Sequence, residues 1–212
     1  DHRVRVSVID TGVDVGQDDL KKNIWVNTAE RDGTANVNDD NNGYTDDLNG
    51  WNFYNNSRTI VDGGHGTHVA GTVGANNNND IGVCGVAGGT GNEDGVRIMS
   101  LQIYDPEGVG SANPKAFIYA AENGAVIAQC SWGYVYPITT LPKDMSDAFD
   151  YFITVAGCDD EEGKVQSANS PMMGGIIIFA AGNSNYARPE LPADDPRVIC
   201  VTSMRPDFRK AG

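Results

Sequence analysis

The sequence has few basic residues and no long apolar run. Its 212 residues include 15 lysines and arginines against 29 aspartates and glutamates, for a formal net charge of −14. This excess of acid gives no electrostatic basis for binding nucleic acid or an anionic membrane surface. No apolar segment approaches the roughly 18 residues that a spanning helix needs, and the first residues do not resemble a signal segment. We therefore predict no nucleic acid partner and no membrane insertion.

The cysteines are too scattered for a structural zinc site. Cys84, Cys130, Cys158 and Cys200 form no CxxC pair and no cluster with histidine. The cysteines at 84, 130 and 200 stand in apolar sequence, which favours buried free thiols over the alternative of a disulfide.

Short apolar runs rich in valine and isoleucine recur along the chain and end at Gly, Asp, Ser or Asn. Runs that are apolar at both alternating positions are typical of strands covered on both faces of a parallel sheet. Helical patterns lie between them, so we predict an α/β fold. The length suits one domain over residues 1–212. The predicted strands are 4–9, 96–104, 125–130, 176–181 and 198–201. The predicted helices are 65–74, one that opens at Pro114 and runs through 117–122, and 143–151.

One carboxylate stands where the first predicted strand ends, in Val8-Ile9-Asp10-Thr11-Gly12. In open α/β sheets, ligands bind beyond the carboxyl ends of the strands. An aspartate at such a place can also be a turn former. Asp-Thr-Gly occurs in aspartic proteases as well, but these need two carboxylates that share a proton, and the sequence has one copy of the motif.

A glycine-rich segment carries two histidines, in Gly64-His65-Gly66-Thr67-His68-Val69-Ala70-Gly71. Small residues around His65 suit a helix start that is pressed against neighbouring backbone and leaves the imidazole free. Histidines at positions i and i+3 can alternatively bind a metal, but no third ligand with suitable spacing stands out.

Together these two motifs resemble the subtilisin-like serine proteases, or subtilases, in the order aspartate and then histidine. The resemblance implies a three-layer α/β/α sandwich with a mostly parallel central sheet, and hydrolysis of protein or peptide substrates by an Asp-His-Ser triad. It makes His65 the general base and Asp10 its orienting carboxylate, and it leaves His68 a structural role. It also implies a secreted or cell-surface location.

The resemblance extends to two later predicted strands. Asn183 ends Ala180-Ala181-Gly182-Asn183, where the family has the side chain that donates to the oxyanion. Ser131, Trp132 and Gly133 follow another strand and correspond to a substrate-binding edge, where main-chain hydrogen bonds hold an extended peptide.

The nucleophilic serine is the part of the triad that the sequence does not supply. The family motif is Gly-Thr-Ser-Met-Ala-x-Pro, and the nearest match is Val201-Thr202-Ser203-Met204-Arg205-Pro206. Valine replaces the turn glycine, proline comes too early, and no helical pattern follows. We expect Ser203 to lie in a loop, and the nucleophile and the rest of the domain to lie beyond residue 212, so that the chain alone is inactive. The alternative is a non-catalytic, calcium-binding pseudo-protease that keeps the peptide-binding edge.

An acidic loop predicts a structural calcium site. Residues 38–47 carry oxygen side chains at alternate positions with a glycine in sixth place, as in the first part of an EF-hand loop. Related subtilases carry a similar calcium-binding insertion. The alternative is a solvated acidic turn. The predicted ligands are Asn38, Asp40, Asn42, the Tyr44 carbonyl and Asp47.

The family resemblance implies a second calcium site. Asp19 follows Asp10 by nine residues, as in the family, and would pair with the loop at residues 76–83. This loop is one residue longer than the usual form. Its predicted ligands are the Asn79 side chain and the carbonyls of Ile81 and Val83.

Overall fold

A parallel sheet with helices on both faces organises the chain. The computed structural model describes residues 1–134, 138–184, 187, 189–207 and 209. The strands are β1 (Arg5–Asp10), β2 (Gly50–Asn52), β3 (Arg97–Gln102), β4 (Ile127–Cys130), β5 (Ile176–Ala180) and β6 (Ile199–Val201). The helices are α1 (Thr28–Asp32), α2 (Gly64–Gly74), α3 (Lys115–Glu122) and α4 (Lys143–Val155).

The six strands lie in the order β2-β3-β1-β4-β5-β6, and all neighbouring pairs run parallel. The parallel register brings the carboxyl ends of β1, β3, β4 and β5 to one edge of the sheet. Asp10 is opposite Gln102, and Cys130 is opposite Phe179. The segments that follow these strands therefore meet at one edge, where an α/β sheet binds its ligands.

Side chains of the central strands alternate between two buried layers. Val8 and Ile98 pack with Ala70 of α2 on one face of the sheet. Ile9 and Met99, their chain neighbours, pack on the other face with the aromatic residues of α3 and α4. Successive strand residues point to opposite faces, so both layers are apolar. The prediction of a mostly parallel α/β/α sandwich is confirmed.

Helices α3 and α4 show why the sequence ends each helix where it does. α3 begins just after Pro114, and the side-chain oxygen of Asn113 accepts a hydrogen bond from the Lys115 N–H at 3.1 Å. The helix ends before Gly124, which has a φ of 74°. α4 runs to Val155 because its buried stripe continues past the predicted end through Phe152.

The structure adds two short elements, β2 and α1, that have too few residues to produce a periodic pattern in the sequence. It also corrects one cysteine. Cys84 is exposed, because the segment around it is a surface loop, whereas Cys130 is buried as expected and Cys200 is partly buried. Among the described helices, none is both long enough and apolar enough to cross a bilayer.

Phe149 of α4 provides the test of this core. It is fully buried, and its ring lies 4.9 Å from Phe117 and 5.8 Å from Phe179, measured between ring centroids. We expect Phe149→Ala to lower the free energy of unfolding by about 3–5 kcal/mol, because the cavity left between helix and sheet cannot close fully. Urea titration followed by circular dichroism measures this. Tyr54→Ala, at an exposed aromatic residue, is the control and should change stability by about 0.5 kcal/mol or less. Equal losses in the two variants would contradict the described core.

Candidate active site

Asp10 and His65 meet where β1 ends and α2 begins. The Nδ1 atom of His65 lies 2.7 Å from the Oδ1 atom of Asp10. The aspartate is buried, whereas the side chain of His65 is 57% exposed. A carboxylate at Nδ1 holds the proton on that nitrogen and leaves Nε2 with a free lone pair. The exposed edge of the imidazole is therefore suited to accept a proton.

Close backbone packing sets the distance between these two side chains. The Thr11 hydroxyl oxygen accepts a hydrogen bond from the Gly66 N–H at 3.0 Å, which ties the start of α2 to the end of β1. A Cβ atom on Gly66 would lie 2.3 Å from the carbonyl oxygen of Gly12, and one on Gly63 would lie 2.3 Å from that of Thr11. Only glycine allows α2 to approach this closely.

The partners of Asp10 bear on the aspartic-protease alternative. Within the described residues, its carboxylate accepts hydrogen bonds from the Thr11 N–H at 2.7 Å and from His65. This is the environment of an aspartate that orients a histidine, rather than of two carboxylates that share a proton.

A groove of about 680 Å³ runs beside His65 and includes the predicted substrate edge. Ser131, Trp132 and Gly133 follow β4 and line the groove together with Tyr134. The indole of Trp132 packs edge-on against Phe179, with centroids 4.9 Å apart, and lies 6.2 Å from the ring of Tyr104. The sequence-predicted edge and the histidine therefore share one cleft.

Another part of the groove lining was missed by the sequence analysis. It consists of Tyr104 and the turn that follows β3, with Pro106, Glu107, Gly108, Gly110, Ser111 and Ala112. Tyr104 and Gly110 form an antiparallel bridge that closes this turn. The strand order could have indicated this part of the groove, because β3 lies next to β1 and the loop after β3 reaches the same edge of the sheet.

Asn183 lies three residues beyond the end of β5 and is exposed. β5 is the neighbour of β4, so the asparagine follows the strand next to the substrate edge. In the described part of the chain, the lining of the groove does not include it. Its predicted oxyanion role stays a prediction.

Ser203 lies in an exposed loop two residues after β6. β6 is three strands away from β1 in the sheet, a separation of about 14 Å at the usual strand spacing. This placement agrees with the expectation that Ser203 is not the partner of His65.

The acidic loop folds around a cluster of carboxylates. Oxygens of Glu30, Asp40 and Asp47 all lie within 4.8 Å of one another. Glu30 was missed by the sequence analysis because it belongs to α1, outside the repeating loop pattern. Its Oε1 atom accepts the Asp39 N–H at 2.7 Å, and its Oε2 atom accepts the Asp46 N–H at 2.8 Å. Glu30 therefore orders the loop from inside.

The other predicted ligands of this loop surround the cluster. Asn42 is placed against both Asp40 and Asp47, with its amide nitrogen 3.0 Å from each carboxylate. The Asn38 side chain accepts the Asn42 N–H at 3.2 Å, and the Tyr44 N–H donates to the Asn42 side chain at 2.7 Å. The structure thus brings three predicted side chains to the cluster, whereas Asn38 lies one contact away.

Burial raises the pKa of Asp47, which is fully inside the protein. The hydroxyl of Tyr119 donates a hydrogen bond to this carboxylate, which partly opposes the effect. A buried carboxylate beside two others is repelled by their charge, and an oxygen-seeking divalent cation would offset both costs. The donor set therefore fits calcium.

Asp19 contacts the loop at residues 76–83 through N–H donors of the loop. The two oxygens of Asp19 accept hydrogen bonds from the Asn79 side chain at 2.7 Å and from the Val83 N–H at 2.8 Å. The Asn79 side chain in turn accepts the Ile81 N–H at 3.2 Å. The contact between Asp19 and the loop is therefore present, and calcium binding by it stays a prediction.

A protein-family model and one of the curated relatives match this chain along almost its whole length. The model of the subtilase family, peptidase S8, matches residues 1–209. The chain is 26% identical to thermitase of Thermoactinomyces vulgaris over 210 residues, which cover 98% of this chain and 57% of thermitase. It is 51% identical over 83 residues to subtilisin-like protease 1 of Plasmodium falciparum, covering 39% of this chain and 12% of that protein.

Two solved structures share the fold. The psychrophilic subtilisin-like protease Apa1 from Pseudoalteromonas sp. AS-11 aligns with a TM-score of 0.61 at 23% identity, covering 99% of this chain and 38% of that one. The prenylagaramide maturation protease PagA aligns with a TM-score of 0.63 at 17% identity, covering 100% and 57%.

A parallel α/β sheet with an aspartate–histidine couple at its strand ends is an arrangement found in serine hydrolases. The sequence match is more specific, and the chain belongs to the subtilase family. It spans a minority of the Plasmodium protease and little more than half of thermitase.

Gly66 and Gly64 give a matched test of the helix docking. We expect Gly66→Ala to destabilise the protein by about 1–3 kcal/mol, because its methyl group would collide with backbone at Gly12. Gly64→Ala meets no atom within 4 Å and should leave the stability unchanged or raise it by up to about 1 kcal/mol. Thermal and urea unfolding measure both. Equal behaviour of the two variants would contradict the close approach of α2 to β1.

Proposed function

We propose that this chain is part of a serine endopeptidase in which Asp10, His65 and Asn183 act on a bound peptide. The observation that carries the proposal is the short contact between the buried Asp10 carboxylate and Nδ1 of the exposed His65, beside a groove of about 680 Å³. Family membership supports the same activity. The substrates would be proteins or peptides.

The proposed mechanism is acyl transfer. An extended peptide pairs with the Ser131–Gly133 edge, and Nε2 of His65 takes the proton from a serine hydroxyl as the oxygen attacks the carbonyl. Asp10 keeps the imidazole oriented and stabilises it once it is protonated. Asn183 donates to the developing oxyanion, a role whose loss typically costs about 10²- to 10³-fold in kcat, a range measured on subtilisin itself. His65 then protonates the leaving amine.

The nucleophilic serine, in this proposal, comes from outside residues 1–212. Ser203 is too far along the sheet to meet His65, since it follows β6 whereas His65 stands at the end of β1. Residues 1–212 and that further segment would then form one domain. We propose a secreted or cell-surface location for the whole protein, on family grounds alone.

His65 and His68 give the direct test of the histidine's role. In the protein expressed from its complete coding sequence, we expect His65→Ala to abolish labelling by a serine-directed fluorophosphonate, because the serine loses its base. His68 lies one turn further along α2 and is exposed, so His68→Ala should label like the unmodified protein. Peptide hydrolysis should follow the same order.

Failure of the unmodified full-length protein to label or to cleave peptides would contradict the enzyme proposal. It would favour a pseudo-protease that binds peptides without cleaving them. Loss of hydrolysis in Asp10→Asn with full activity in His65→Ala would instead indicate aspartic-protease chemistry.

We further propose that the cluster in the acidic loop binds a structural calcium ion. Glu30, Asp40 and Asp47 would supply carboxylates, and Asn38, Asn42 and the Tyr44 carbonyl would complete the oxygen donors. The ion would contribute charge compensation and loop order only. A comparable role for Asp19, Asn79, Ile81 and Val83 is a separate prediction from family resemblance.

Calcium should raise the melting temperature by about 5 °C or more at saturation, since a ligand bound only to the folded state stabilises it. Glu30→Gln should remove most of this shift, because it deletes one charged oxygen at the centre of the cluster. Asp32→Asn is the matched control, since Asp32 lies in the same helix but is exposed and paired with Arg31. Calorimetry with calcium or chelator measures this. A full calcium shift in Glu30→Gln would exclude the cluster as the site.

A further inference from the structure

Glu190 lies where the chain extensions that follow β4 and β5 come together. Its N–H donates to the carbonyl of Ala181 at 3.3 Å. The carbonyl of the next residue, Leu191, accepts the N–H of Tyr134 at 3.1 Å. Residues 190 and 191 thus bridge the β5 extension and the β4 extension, and they place the Glu190 side chain between the two.

Two glycines flank the Glu190 carboxylate. A Cβ atom on Gly133 would lie 3.6 Å from its Oε2 atom, and one on Gly182 would lie 3.0 Å from its carboxyl carbon. Gly182 has a φ of 94°, a conformation that favours glycine. Because neither residue has a side chain, the carboxylate meets backbone rather than side chains at these two positions.

One oxygen of this carboxylate has no partner. In the described part of the chain, Oε1 of Glu190 is buried without a hydrogen bond, and no lysine or arginine forms an ion pair with Glu190. Glu190 as a whole is partly exposed, but a buried carboxylate oxygen without a partner is costly, and buried polar groups in folded proteins are nearly always satisfied. This carboxylate lies beside Gly133, which lines the groove, and an unpaired carboxylate there points to a ligand that brings N–H donors and positive charge.

The order of the strands relates Glu190 to the reaction, and this step rests on the proposed function. β4 lies between β1, which carries the histidine side of the site, and β5, which precedes Asn183. A peptide carbonyl that is attacked between His65 and Asn183 therefore crosses the end of β4. The side chain of that same substrate residue then enters the gap between Gly133 and Gly182, above Glu190.

We propose that Glu190 selects substrates with lysine or arginine immediately before the cleaved bond. The cationic head group would supply the Glu190 carboxylate with the counter-charge that it lacks among the described residues. The charge of the cleft agrees with this, since its described lining includes Asp10, Glu107 and Asp144 and neither lysine nor arginine. A net charge of −14 adds attraction for a basic substrate.

The test uses the protein expressed from its complete coding sequence and two fluorogenic peptides that differ only before the scissile bond, in lysine against norleucine. Norleucine keeps the length of lysine's carbon chain and removes its charge. We expect kcat/KM for the lysine peptide to be at least about 10-fold higher than for the norleucine peptide. Removing one partner of a hydrogen-bonded charge pair typically costs at least that much. Glu190→Gln should abolish the difference. Glu162→Gln removes the same charge at an exposed residue paired with Lys164 and should retain it.

The outcomes separate this inference from the proposed function. Cleavage of both peptides at equal rates, or a preference for lysine that survives in Glu190→Gln, would overturn the role of Glu190 and leave the protease proposal intact. If no peptide is cleaved, the protease proposal fails. The role of Glu190 is then tested separately, by measuring with calorimetry the binding of product peptides that end in lysine or in norleucine. Tighter binding of the lysine peptide that is lost in Glu190→Gln would support the cationic subsite, and equal binding would exclude it.

Discussion

The hydrogen bond between Asp10 and His65 is the interaction on which the candidate site depends. It joins the end of a buried strand to the start of a helix that packs on one face of the sheet. The contact requires glycine at the helix start, because any side chain on Gly66 would strike backbone at Gly12. Thr11 adds a hydroxyl that accepts a hydrogen bond from the same helix. This close packing holds the Asp10 carboxylate against His65. An imidazole held by one carboxylate keeps the defined tautomer and orientation that a general base requires.

The sheet distributes the other functional parts over its neighbouring strand ends. β1 ends at Asp10, β4 leads into the Ser131–Gly133 edge, and β5 leads towards Asn183. Parallel pairing brings these ends to one edge without any long-range sequence signal. Glu190 shares that edge through its backbone contacts to both extensions. Acidic residues therefore lie both in the groove and in the cluster of the acidic loop.

Much of this arrangement was readable from the sequence where local chemistry specifies it. The strand of valine and isoleucine that ends at Asp10 and the small residues around His65 each have a local physical reason. Glu30 and Tyr104 were missed, because only the tertiary fold brings Glu30 to the acidic loop and Tyr104 to the groove. Glu30 reaches the acidic loop from a short helix, and Tyr104 reaches the groove because β3 is the spatial neighbour of β1. The exposed Cys84 shows the reverse error, since apolar sequence neighbours in a loop do not imply burial.

The most direct measurement of the central claim is the protonation state of the two ring nitrogens of His65, read from ¹⁵N-histidine NMR spectra at neutral to mildly alkaline pH. The resonances are assigned by their absence in His65→Ala. The account predicts that the neutral imidazole carries its proton on Nδ1, with a proton signal at low field that is lost in Asp10→Asn. A neutral His65 protonated on Nε2, or a spectrum unchanged by Asp10→Asn, would contradict it.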